Sequence, residues 1–550
     1  MVYQSPYPNL NIPVTNILSY IYPPGQQPSD KPIWIDAKDP QRSLSLRQGL
    51  SWIKRLAAFL DQQQIGKGEA VMIFTPNHIF VPIVYLGIVG SGRVFSGANP
   101  IYTVSEVEYQ IKNTGTSLIL SHPSLLDTAL DAAQRAGLDK SRIFQFSDQP
   151  LKQVNGIRDW RDASVESDHY IWDPMTSSAK TAQATVNYSS GTTGLPKGVA
   201  VSHYNIVANS EQTIFMRDLE QPYTPPNRPE ERWLGFLPLY HAYGQLYMCV
   251  MAPKLQVPVY IMQKFAYEEF LQALQQYRIT HLQSAPPILV MLDKRPETAK
   301  YDLSNLKNIL CGAAPLSKEL QNSVSRRFKV NIIQGWGMTE VTCGAIHVPG
   351  GRLDDSGSVG LLDPNSECKL VDDDGKEVGP GQPGEMYVRG PQVCLGYWRN
   401  EAATKDAIDD QGWLKTGDIA VVKDNWFWIV DRKKELIKVN ALQVAPAELE
   451  ATLLENDHIA DAAVVGITLN NEEWPRAYIT LKDESKGKIS AEDIQKWMKP
   501  RVAKHKQLVG GIKFIDEVPK LASGKIQRKV MREWAKRDAL EMEGSSRARL

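Results

Sequence analysis

Helix and strand signals alternate from the N-terminus to about residue 400 of this chain. Ala70-Val-Met-Ile-Phe74 and Ser117-Leu-Ile-Leu120 are typical of short buried strands. Apolar residues at helical spacing precede the first strand: Leu46, Leu50, Ile53, Leu56 and Leu60. Because helices that alternate with strands cover the faces of parallel sheets, the pattern predicts an α/β fold with largely parallel sheets.

A smaller α+β unit is expected to begin near Asp431. Pro446 fits the first position of a helix. Ser490 and Asp493 have the spacing of a capping box before another helix. Two apolar runs are typical of strands: Ala462–Val465 and Ala477–Leu481.

The composition is ordinary for a soluble globular protein, with 42% hydrophobic and 23% charged residues. A formal net charge of zero gives no general attraction to nucleic acid or acidic membranes. The first residues lack the pattern of a secretory signal, and the apolar stretch Ile79–Gly90 contains Pro82 and is too short to span a bilayer. Five widely separated cysteines show no metal or disulfide spacing, which favours a reducing compartment.

The segment Tyr188-Ser-Ser-Gly-Thr-Thr-Gly-Leu-Pro-Lys-Gly198 combines hydroxyls, glycines and a lysine. Hydroxyls and glycine amides can surround phosphate oxygens, and Lys197 adds a positive charge. The segment is not a Walker loop, because Pro196 stands where that motif has glycine. It also lacks the G-x-G-x-x-G spacing of dinucleotide sites. It predicts a phosphate-binding loop, with a polar surface loop as the alternative.

Five further motifs follow this segment in order. They are Gly312-Ala-Ala-Pro315, Gln334-Gly-Trp-Gly-Met-Thr-Glu340, Thr416-Gly-Asp418, Asp431-Arg-Lys-Lys-Glu-Leu-Ile-Lys438 and Ser523-Gly-Lys525. With Tyr188–Gly198, the series resembles the adenylate-forming superfamily of acyl-CoA synthetases, firefly-type luciferases and peptide-synthetase adenylation domains. Pro238-Leu-Tyr-His-Ala-Tyr243 and Gln443-Val-Ala-Pro-Ala-Glu-Leu449 resemble motifs of 4-coumarate:CoA ligases.

The resemblance implies a large N-terminal body and a small mobile C-terminal domain. The expected ranges are 1–430 for an AMP- and acyl-binding domain, 431–434 for a hinge that includes Lys434, 435–540 for a lid domain and 541–550 for a flexible tail. The resemblance also implies an AMP-forming acid–thiol ligase that uses ATP, Mg²⁺ and coenzyme A. In such enzymes a carboxylate attacks the α-phosphate of ATP to give an acyl-adenylate and pyrophosphate, and a thiol then displaces AMP.

The motifs predict a nucleotide and metal site. Glu340 is the expected Mg²⁺ ligand, because a carboxylate after Thr339 could hold a metal that bridges phosphates; a solvated glutamate is the alternative. Asp418 should accept hydrogen bonds from ribose near Arg432, unless it is only a turn residue. Trp336 replaces the family's usual tyrosine, and either ring can stack on adenine. The other expected nucleotide-binding residues are Ser189, Ser190, Gly191, Thr192, Thr193, Gly194, Lys197, Gly312, Ala313, Ala314, Gln334, Gly335 and Thr339.

Catalytic roles follow from the same resemblance. Lys525 is expected on an exposed loop, where it would reach both the carboxylate and the α-phosphate during adenylation; a solvated basic face is the alternative. His241 matches the family's pocket histidine, although a lone histidine in an apolar segment is more often structural. Thr192 is the third expected catalytic residue of this step. The acyl pocket is expected to be lined by His241, Tyr243, Ala313, Gly335, Gly337, Cys343 and Gly344.

The thiol step is expected to use a second set of residues. Lys438 and Gln443 match residues that act after the lid rotates, and Lys264 matches a lysine that contacts CoA phosphate. Asn440-Ala441 departs from the family's usual Lys-Gly pair at positions that meet CoA. The Ala441 methyl group would narrow the CoA channel, and Asn440 lacks the positive charge of the lysine that it replaces. Weaker CoA binding is therefore expected.

Two other functions remain open at this point. An adenylate-only enzyme would pass the acyl group to a carrier-protein thiol or oxidise it. A non-catalytic nucleotide-binding protein would need neither Lys525 nor Glu340, and both are present. Lys264 and the lack of a carrier domain favour the CoA ligase. The acid is open among phenylacetate-like, phenylpropanoid and medium-chain fatty acids.

The terminal Ala548-Arg-Leu550 resembles the small–basic–leucine form of the peroxisomal address. It follows the polar stretch Gly544-Ser-Ser-Arg547. A peroxisomal location and an import receptor as partner are therefore expected, with the cytoplasm as the alternative, because tripeptides also match by chance.

Overall fold

The computed structural model describes residues 1–149, 153–163, 169–189, 196–219, 229–439, 442–469, 472–521 and 524–547. It has a large N-terminal body, in which two sheets are mostly parallel, and a smaller C-terminal domain of helices and strands. The predicted α/β class is confirmed.

The strands are numbered in chain order. They are β1 Val2–Gln4, β2 Pro32–Asp36, β3 Ser43–Ser45, β4 Ala70–Phe74, β5 Val94–Ala98, β6 Thr116–Ser121, β7 Ile143–Gln145, β8 Gln183–Ser189, β9 Lys197–Ser202, β10 Trp233–Gly235, β11 Val259–Ile261, β12 His281–Ser284, β13 Asn308–Cys311, β14 Asn331–Trp336, β15 Ile346–His347, β16 Leu361–Leu362, β17 Glu367–Val371, β18 Gly384–Arg389, β19 Gly396–Tyr397, β20 Leu414–Lys423, β21 Trp426–Arg432, β22 Ile437–Val439, β23 Leu442–Val444, β24 Ile459–Leu469, β25 Glu472–Leu481 and β26 Ile512–Phe514.

The helices are numbered in the same way. They are α1 Ile17–Ile21, α2 Leu46–Gln62, α3 Val81–Gly90, α4 Val104–Thr114, α5 Leu126–Ala136, α6 Trp160–Ala163, α7 His203–Asp218, α8 Ala242–Gly244, α9 Ala252–Leu255, α10 Tyr267–Gln276, α11 Pro286–Lys294, α12 Lys318–Phe328, α13 Glu401–Ala407, α14 Pro446–Leu454, α15 Ala491–Met498 and α16 Arg528–Arg547. A π-helix spans Gln245–Met251, and 3₁₀ turns span Pro123–Leu125, Lys140–Arg142, Pro296–Lys300, Thr339–Val341, Asp483–Ser485 and Lys504–Lys506.

Two sheets of the body are mostly parallel. The nine-stranded sheet has the order β16-β15-β14-β13-β12-β10-β11-β2-β3, and β12, β13 and β14 run parallel. The seven-stranded sheet has the order β19-β9-β8-β5-β4-β6-β7, with β5 and β6 parallel to β4. The predicted helix and both predicted strands are confirmed as α2, β4 and β6. Because parallel strands end at the same edge, the loops that follow β13 and β14 begin side by side.

Helix α3 is buried on every side. Its sequence is apolar all round, which suits a helix enclosed by protein. It packs against α2, against β5 and against the π-helix. Gly90 allows the close approach of α1, since an ideal Cβ there would lie 2.2 Å from Leu18 Cγ. This packing holds the π-helix in the interior of the body.

The third sheet of the body is antiparallel, unlike the predicted arrangement. Its order is β1-β17-β18-β20-β21. Asp424 and Asn425, with φ of 51° and 65°, form the turn that joins β20 to β21. A two-residue turn of this kind forces neighbouring strands to run in opposite directions. No helix intervenes between β17 and β18 or between β20 and β21, so the alternation that predicts parallel sheets does not extend to these pairs.

The smaller domain has its own core around β24 and β25, which pair antiparallel, while β26 runs parallel to β25. The predicted helix at Pro446 is α14. Ser490 and Asp493 form the predicted capping box of α15, with the Asp493 N–H donating to Ser490 Oγ at 3.1 Å. The predicted strand at Ala462–Val465 lies within β24, and the one at Ala477–Leu481 lies within β25.

Helix α16 extends to Arg547 and so enters the range expected as a flexible tail. Ala539, Leu540, Glu541, Met542 and Glu543 are strong helix formers, which explains the extension. Within the described ranges, every helix is too short or too polar to cross a bilayer.

Candidate active site

A cavity opens where β13 and β14 end. One wall is formed by residues of segment 241–247, and another by the residues that follow β13 and β14. Lys525 reaches the same cavity from the smaller domain. The lining residues are His241, Ala242, Tyr243, Tyr247, Leu310, Gly312, Ala313, Gly335, Trp336, Gly337, Met338, Thr339, Cys343, Gly344, His347 and Lys525. Ligands of α/β proteins commonly bind at this edge of a sheet, so the cavity is the candidate active site.

The chain turns back sharply after β14. An ideal Cβ at Gly337 would lie 1.7 Å from the Cys343 carbonyl oxygen, so only glycine fits this turn. The turn places Cys343 and Gly344 on the cavity, and β15 then pairs antiparallel with β14. The structure brings together all the residues predicted for the acyl pocket: His241, Tyr243, Ala313, Gly335, Gly337, Cys343 and Gly344.

His241 is neutral at physiological pH. Its Nδ1 accepts the backbone N–H of Tyr243 at 3.4 Å, at the start of α8. Burial and, second, the positive charge of Lys525 lower the pKa of His241 to about 3. Because Nδ1 accepts this bond, the ring proton lies on Nε2. His241 can therefore donate a hydrogen bond into the cavity without carrying a charge.

Tyr243 and Cys343 give the cavity an apolar surface. The Tyr243 hydroxyl donates to the Leu310 carbonyl oxygen at 3.0 Å, so its proton is not available to a ligand. Burial raises the pKa of Cys343 to about 12, so the thiol stays protonated and packs as a small apolar group.

Lys525 lies in the cavity and is only partly exposed, which corrects the expectation of an exposed loop. Gly524 adopts φ of +83°, and an ideal Cβ there would lie 3.0 Å from Pro287 Cγ. The turn around Gly524 therefore packs closely against the start of α11 in the body. The Leu521 N–H donates to the Lys525 carbonyl oxygen at 2.8 Å and closes the turn. The sequence could not show this contact, because it joins two domains.

Lys525 is surrounded by charges of both signs. Burial and then the Arg432 guanidinium lower its pKa, whereas Glu340 and Asp418 oppose the shift. The two carboxylates thus favour the charged form of the ammonium, which can attract negative groups of a ligand in the cavity.

Asp418 links the lining residue Trp336 to Arg432. The Trp336 indole Nε1–H donates to Asp418 Oδ2 at 2.8 Å, and Arg432 Nε lies 3.3 Å from Asp418 Oδ1. Asp418 and Arg432 are directly opposite each other on β20 and β21. Burial raises the pKa of Asp418, and Arg432 opposes this shift. A carboxylate has acceptor sites left after these two contacts, so it can still bind a hydroxyl.

Glu340 is buried beside the cavity, next to Thr339. Its Oε1 accepts the Tyr397 hydroxyl at 2.9 Å, and the Lys197 ammonium lies 4.8 Å from the centre of the Tyr397 ring. Among the described residues, no three His, Cys, Asp or Glu side chains are grouped to hold a metal on their own. Mg²⁺ commonly takes one or two carboxylates and completes its shell with phosphates and water. Glu340 therefore fits a metal that arrives with a nucleotide.

Gln334 and Ala314 were predicted to bind nucleotide but do not line the cavity, and neither do Asp418, Arg432 and Lys197. The Gln334 side chain donates to the Leu316 carbonyl oxygen at 3.2 Å and to Gln321 Oε1 at 2.6 Å, so it ties β14 to the region of α12. Ala314 follows the lining residues Gly312 and Ala313 without lining the cavity itself.

The residues predicted for the thiol step lie outside the cavity. Lys438 and Gln443 face each other across the β22–β23 pair, and both are exposed. Lys434 is exposed on the segment before β22, and Lys264 is exposed on the body. The structure brings Lys438 and Gln443 together but leaves them away from His241 and Lys525.

Part of the predicted phosphate-binding segment lies outside the described residues. Ser189 ends β8, Lys197 begins β9, and the two residues are paired in register. The two described strand ends that flank the segment are thus neighbours in the sheet. Predicted site residues outside the described ranges are Ser190, Gly191, Thr192, Thr193, Gly194, Asn440 and Ala441, and the terminal Ala548-Arg-Leu550 also lies outside them.

Two polar residues of the cavity, Tyr247 and His347, were not predicted from the sequence. His347 is a single polar side chain in an apolar stretch, whereas Tyr247 follows Tyr243 and Gln245 in the same segment. Neither belongs to one of the motifs that carried the resemblance.

Two family models match the chain. The model described as AMP-binding enzyme matches residues 24–398, and the one described as AMP-binding enzyme C-terminal domain matches residues 448–525. The chain belongs to the AMP-binding enzyme family.

Relatives of this AMP-binding enzyme are similar over almost their whole length. The phenylacetyl-CoA ligase epaB of Aspergillus niger is 35% identical over 545 residues, which cover 96% of this chain and 98% of the relative. The peroxisomal OPC-8:0-CoA ligase 1 of Arabidopsis thaliana is 33% identical over 534 residues, which cover 95% and 93%.

The crystal structure of ATP-bound MatB from Rhodopseudomonas palustris has the same fold as this AMP-binding enzyme. The TM-score is 0.82, with 24% identity, and the match covers 95% of this chain and 99% of the other. The fold therefore extends over both the body and the smaller domain.

Proposed function

We propose that this AMP-binding enzyme activates a carboxylic acid in the cavity that His241 and Lys525 share. The chain is an AMP-forming acid–thiol ligase, which converts an acid and ATP into an acyl-adenylate and then forms a CoA thioester. The observation that carries the proposed site is the position of Lys525. A lysine of the smaller domain reaches a cavity of the body that is lined by predicted acyl-pocket residues.

Adenylation brings two anions together, and the charges of the cavity suit that step. The Lys525 ammonium would attract both the acid's carboxylate and the α-phosphate, and it would stabilise the charge that builds up between them. Neutral His241 would donate its Nε2–H to the carboxylate and orient it for attack. Asp418 would accept hydrogen bonds from the ribose while it holds Trp336 in place.

Mg²⁺ is the metal we propose for this step, with Glu340 as its protein ligand. When bound, the metal neutralises phosphate charge. Thr339, beside Glu340 on the cavity, would offer its hydroxyl to the same phosphates. The segment between Ser189 and Lys197 would also hold the phosphates, through Ser190, Gly191, Thr192, Thr193 and Gly194.

Thioester formation would require a different face of the smaller domain. Lys438 and Gln443 lie together outside the cavity and would act after the domain rotates about the segment that contains Lys434. Exposed Lys264 on the body would contact CoA phosphate. Asn440 and Ala441 would weaken CoA binding compared with relatives that have Lys-Gly.

We also propose that the enzyme is peroxisomal. The supports are the terminal Ala548-Arg-Leu550 and the similarity to a relative that is named as peroxisomal. Deleting the three residues should move a tagged enzyme from peroxisomes to the cytosol with its activity in vitro unchanged, because the tail is remote in sequence from all the cavity residues. Unchanged location of the truncated enzyme would contradict the targeting role.

The activity is tested by following both products. Purified enzyme with ATP, Mg²⁺ and a panel of carboxylic acids should release pyrophosphate, and mass spectrometry should find acyl-CoA once CoA is added. Acyl-AMP without acyl-CoA would favour an adenylate-only enzyme. No pyrophosphate with any acid would contradict the proposed site.

A further inference from the structure

Two buried amide side chains, Asn187 and Gln245, bond each other close to the segment that carries His241. Asn187 Nδ2 donates to Gln245 Oε1 at 3.0 Å, and Gln245 Nε2 donates to Asn187 Oδ1 at 3.0 Å. Asn187 lies on β8, and Gln245 begins the π-helix. Both residues are buried, and neither of them lines the cavity. Any effect of this pair on a bound acid therefore has to pass through other residues.

Gln245 holds the backbone on both sides of His241. Its Nε2 also donates to the Tyr240 carbonyl oxygen at 3.0 Å, and its backbone N–H donates to the His241 carbonyl oxygen at 3.0 Å. A carbonyl oxygen can only accept, so the amide atom that faces Tyr240 is the nitrogen. Both N–H bonds of the Gln245 amide are therefore used, one by Asn187 and one by Tyr240. The side chain is thus fixed in one orientation.

Tyr240 is also held by the sheet. An ideal Cβ at Gly97 would lie 2.9 Å from Tyr240 Cα, so the Tyr240 backbone lies directly against β5. Strand β5 is the neighbour of β8 in the seven-stranded sheet. The contact with β5 and the hydrogen bond from Gln245 together fix the peptide that precedes His241. The starting point of the His241 side chain is fixed with it.

The amide pair joins the two elements that lead to the reacting groups. Strand β8 carries Asn187 and ends two residues later at Ser189, where the predicted phosphate-binding segment begins. Gln245 belongs to segment 241–247, which forms one wall of the cavity. The backbone partners of β8 are β5 and β9, so the sheet itself does not bond β8 to this segment. The Asn187–Gln245 pair makes that connection through side chains.

A reciprocal amide pair resists displacement. Hydrogen bonds weaken when they lengthen or bend, and a buried amide that loses its partner is costly. The two bonds therefore oppose any shift of β8 relative to the His241 segment. Adenylation depends on this distance, since a misplacement of about 1 Å can cost about 10²-fold in rate.

We propose that Asn187 and Gln245 are positioning residues for adenylation, which fix the His241 imidazole relative to the phosphate-binding segment. The inference rests on the proposed function, in which His241 orients the carboxylate and the segment after Ser189 holds the phosphates. Neither amide takes part in a bond that forms or breaks. Loss of the pair should slow adenylation and leave the Kd for ATP close to the parental value, because the pair sets a distance and contacts no ligand.

The double variant Asn187→Leu, Gln245→Met removes the pair without leaving one amide unpaired. Replacing both partners of a buried hydrogen bond by apolar groups of similar shape changes stability little. Single-turnover release of pyrophosphate should slow by at least about ten-fold. The acid is whichever of phenylacetate, 4-coumarate and hexanoate the parent enzyme activates fastest. Melting temperature and calorimetric titration with ATP report folding and nucleotide binding separately.

The single variant Asn187→Ala provides a milder change. It breaks the pair but keeps the bond from Gln245 to Tyr240, so it should slow adenylation less than the double variant does. Gln145→Leu is the matched control. Gln145 is a buried glutamine on β7 of the same sheet, its amide donates to the Ile157 carbonyl oxygen, and it lies outside the cavity. This control should keep the parental rate.

A double-mutant cycle with His241→Ala separates positioning from general packing. If the amide pair acts through His241, removing the pair should no longer slow adenylation once the imidazole is absent. A pair that only supports the fold would slow both backgrounds by the same factor. Asn187→Ala should likewise slow adenylation only where His241 is present.

Two results would overturn this inference and leave the proposed function standing. One is a parental rate of adenylation in the folded double variant and in Asn187→Ala. The other is an equal loss of rate with and without His241. No pyrophosphate release by the parent enzyme with any acid would overturn the proposed function and this inference with it.

Discussion

Lys525 brings a positive charge from the smaller domain to the place where a carboxylate and the α-phosphate would meet. Lys525→Ala should lower the rate of pyrophosphate release by about 10²–10³-fold, the usual cost of losing one preorganised group at a transition state. ATP binding should stay nearly intact, because Asp418, Trp336 and the phosphate-binding loop are unchanged. Single-turnover kinetics and calorimetric titration with ATP measure the two quantities.

Lys529→Ala is the matched control for that variant. Lys529 is exposed on α16, four residues from Lys525 in the same domain. Its loss should leave adenylation unchanged. Pyrophosphate release at the parental rate by the Lys525 variant would contradict the role we propose for this residue.

At the scale of helices and strands, local patterns were enough for part of the structure. Helix α2 was predicted from the helical spacing of its apolar residues, and strand β4 from its short apolar run. Both predictions succeeded because each element buries the same residues that form its pattern. The capping box of α15 followed from two residues three positions apart. The antiparallel sheet of the body did not follow, since strand direction depends on short turns such as Asp424–Asn425.

Residues of the site were predicted only where they belong to a recognised sequence motif. The acyl-pocket residues came from the resemblance, and the structure brings them together. His347 was missed because its partner Asp363 is sixteen residues away and meets it only through the β15–β16 pair. The burial of Lys525 was missed because it depends on contact between Gly524 and Pro287, which lie in different domains.

Asp431, at the end of β21, makes the contact between that strand and α14 dependent on pH. Its Oδ2 accepts the Ala447 backbone N–H at 3.1 Å, and burial raises its pKa from 3.8 to about 6. The folded protein thus holds this proton more tightly than the unfolded chain. Between pH 4 and pH 6 the unfolded state loses the proton first, so the contribution of Asp431 to stability falls as pH rises.

Asp431→Asn should therefore be stabilising by about 3 kcal/mol at most at pH 7.5, and by only about 1 kcal/mol at pH 4.5. The amide keeps an acceptor for the Ala447 N–H and carries no buried charge. Melting temperatures of parent and variant at the two pH values measure the effect. Asp374→Asn, at an exposed carboxyl group, is the control. A Tm difference between parent and Asp431→Asn that is the same at both pH values would contradict the burial argument.

At the scale of the whole molecule, the smaller domain presents two sets of residues on different surfaces. Lys525 lies in the cavity with His241, whereas Lys438 and Gln443 lie outside it on the β22–β23 pair. One orientation of the domain cannot place both sets at the same reacting carbon. If both sets act on the acyl group, the domain has to reorient between adenylation and thioester formation.

Lys438→Ala should separate these two steps. Pyrophosphate release should keep the parental rate, because Lys438 is exposed and away from the cavity in the orientation that places Lys525 there. Transfer from preformed acyl-AMP to CoA should slow by about 10²-fold, as expected when one charged group is lost from a transition state. Lys488→Ala, an exposed lysine of the same domain, controls for the loss of surface charge. Rapid-quench measurements of pyrophosphate and of acyl-CoA give the two rates separately. An equal loss in both steps would mean that Lys438 supports the fold of the smaller domain rather than a second orientation of it, and no loss in either step would remove it from the reaction.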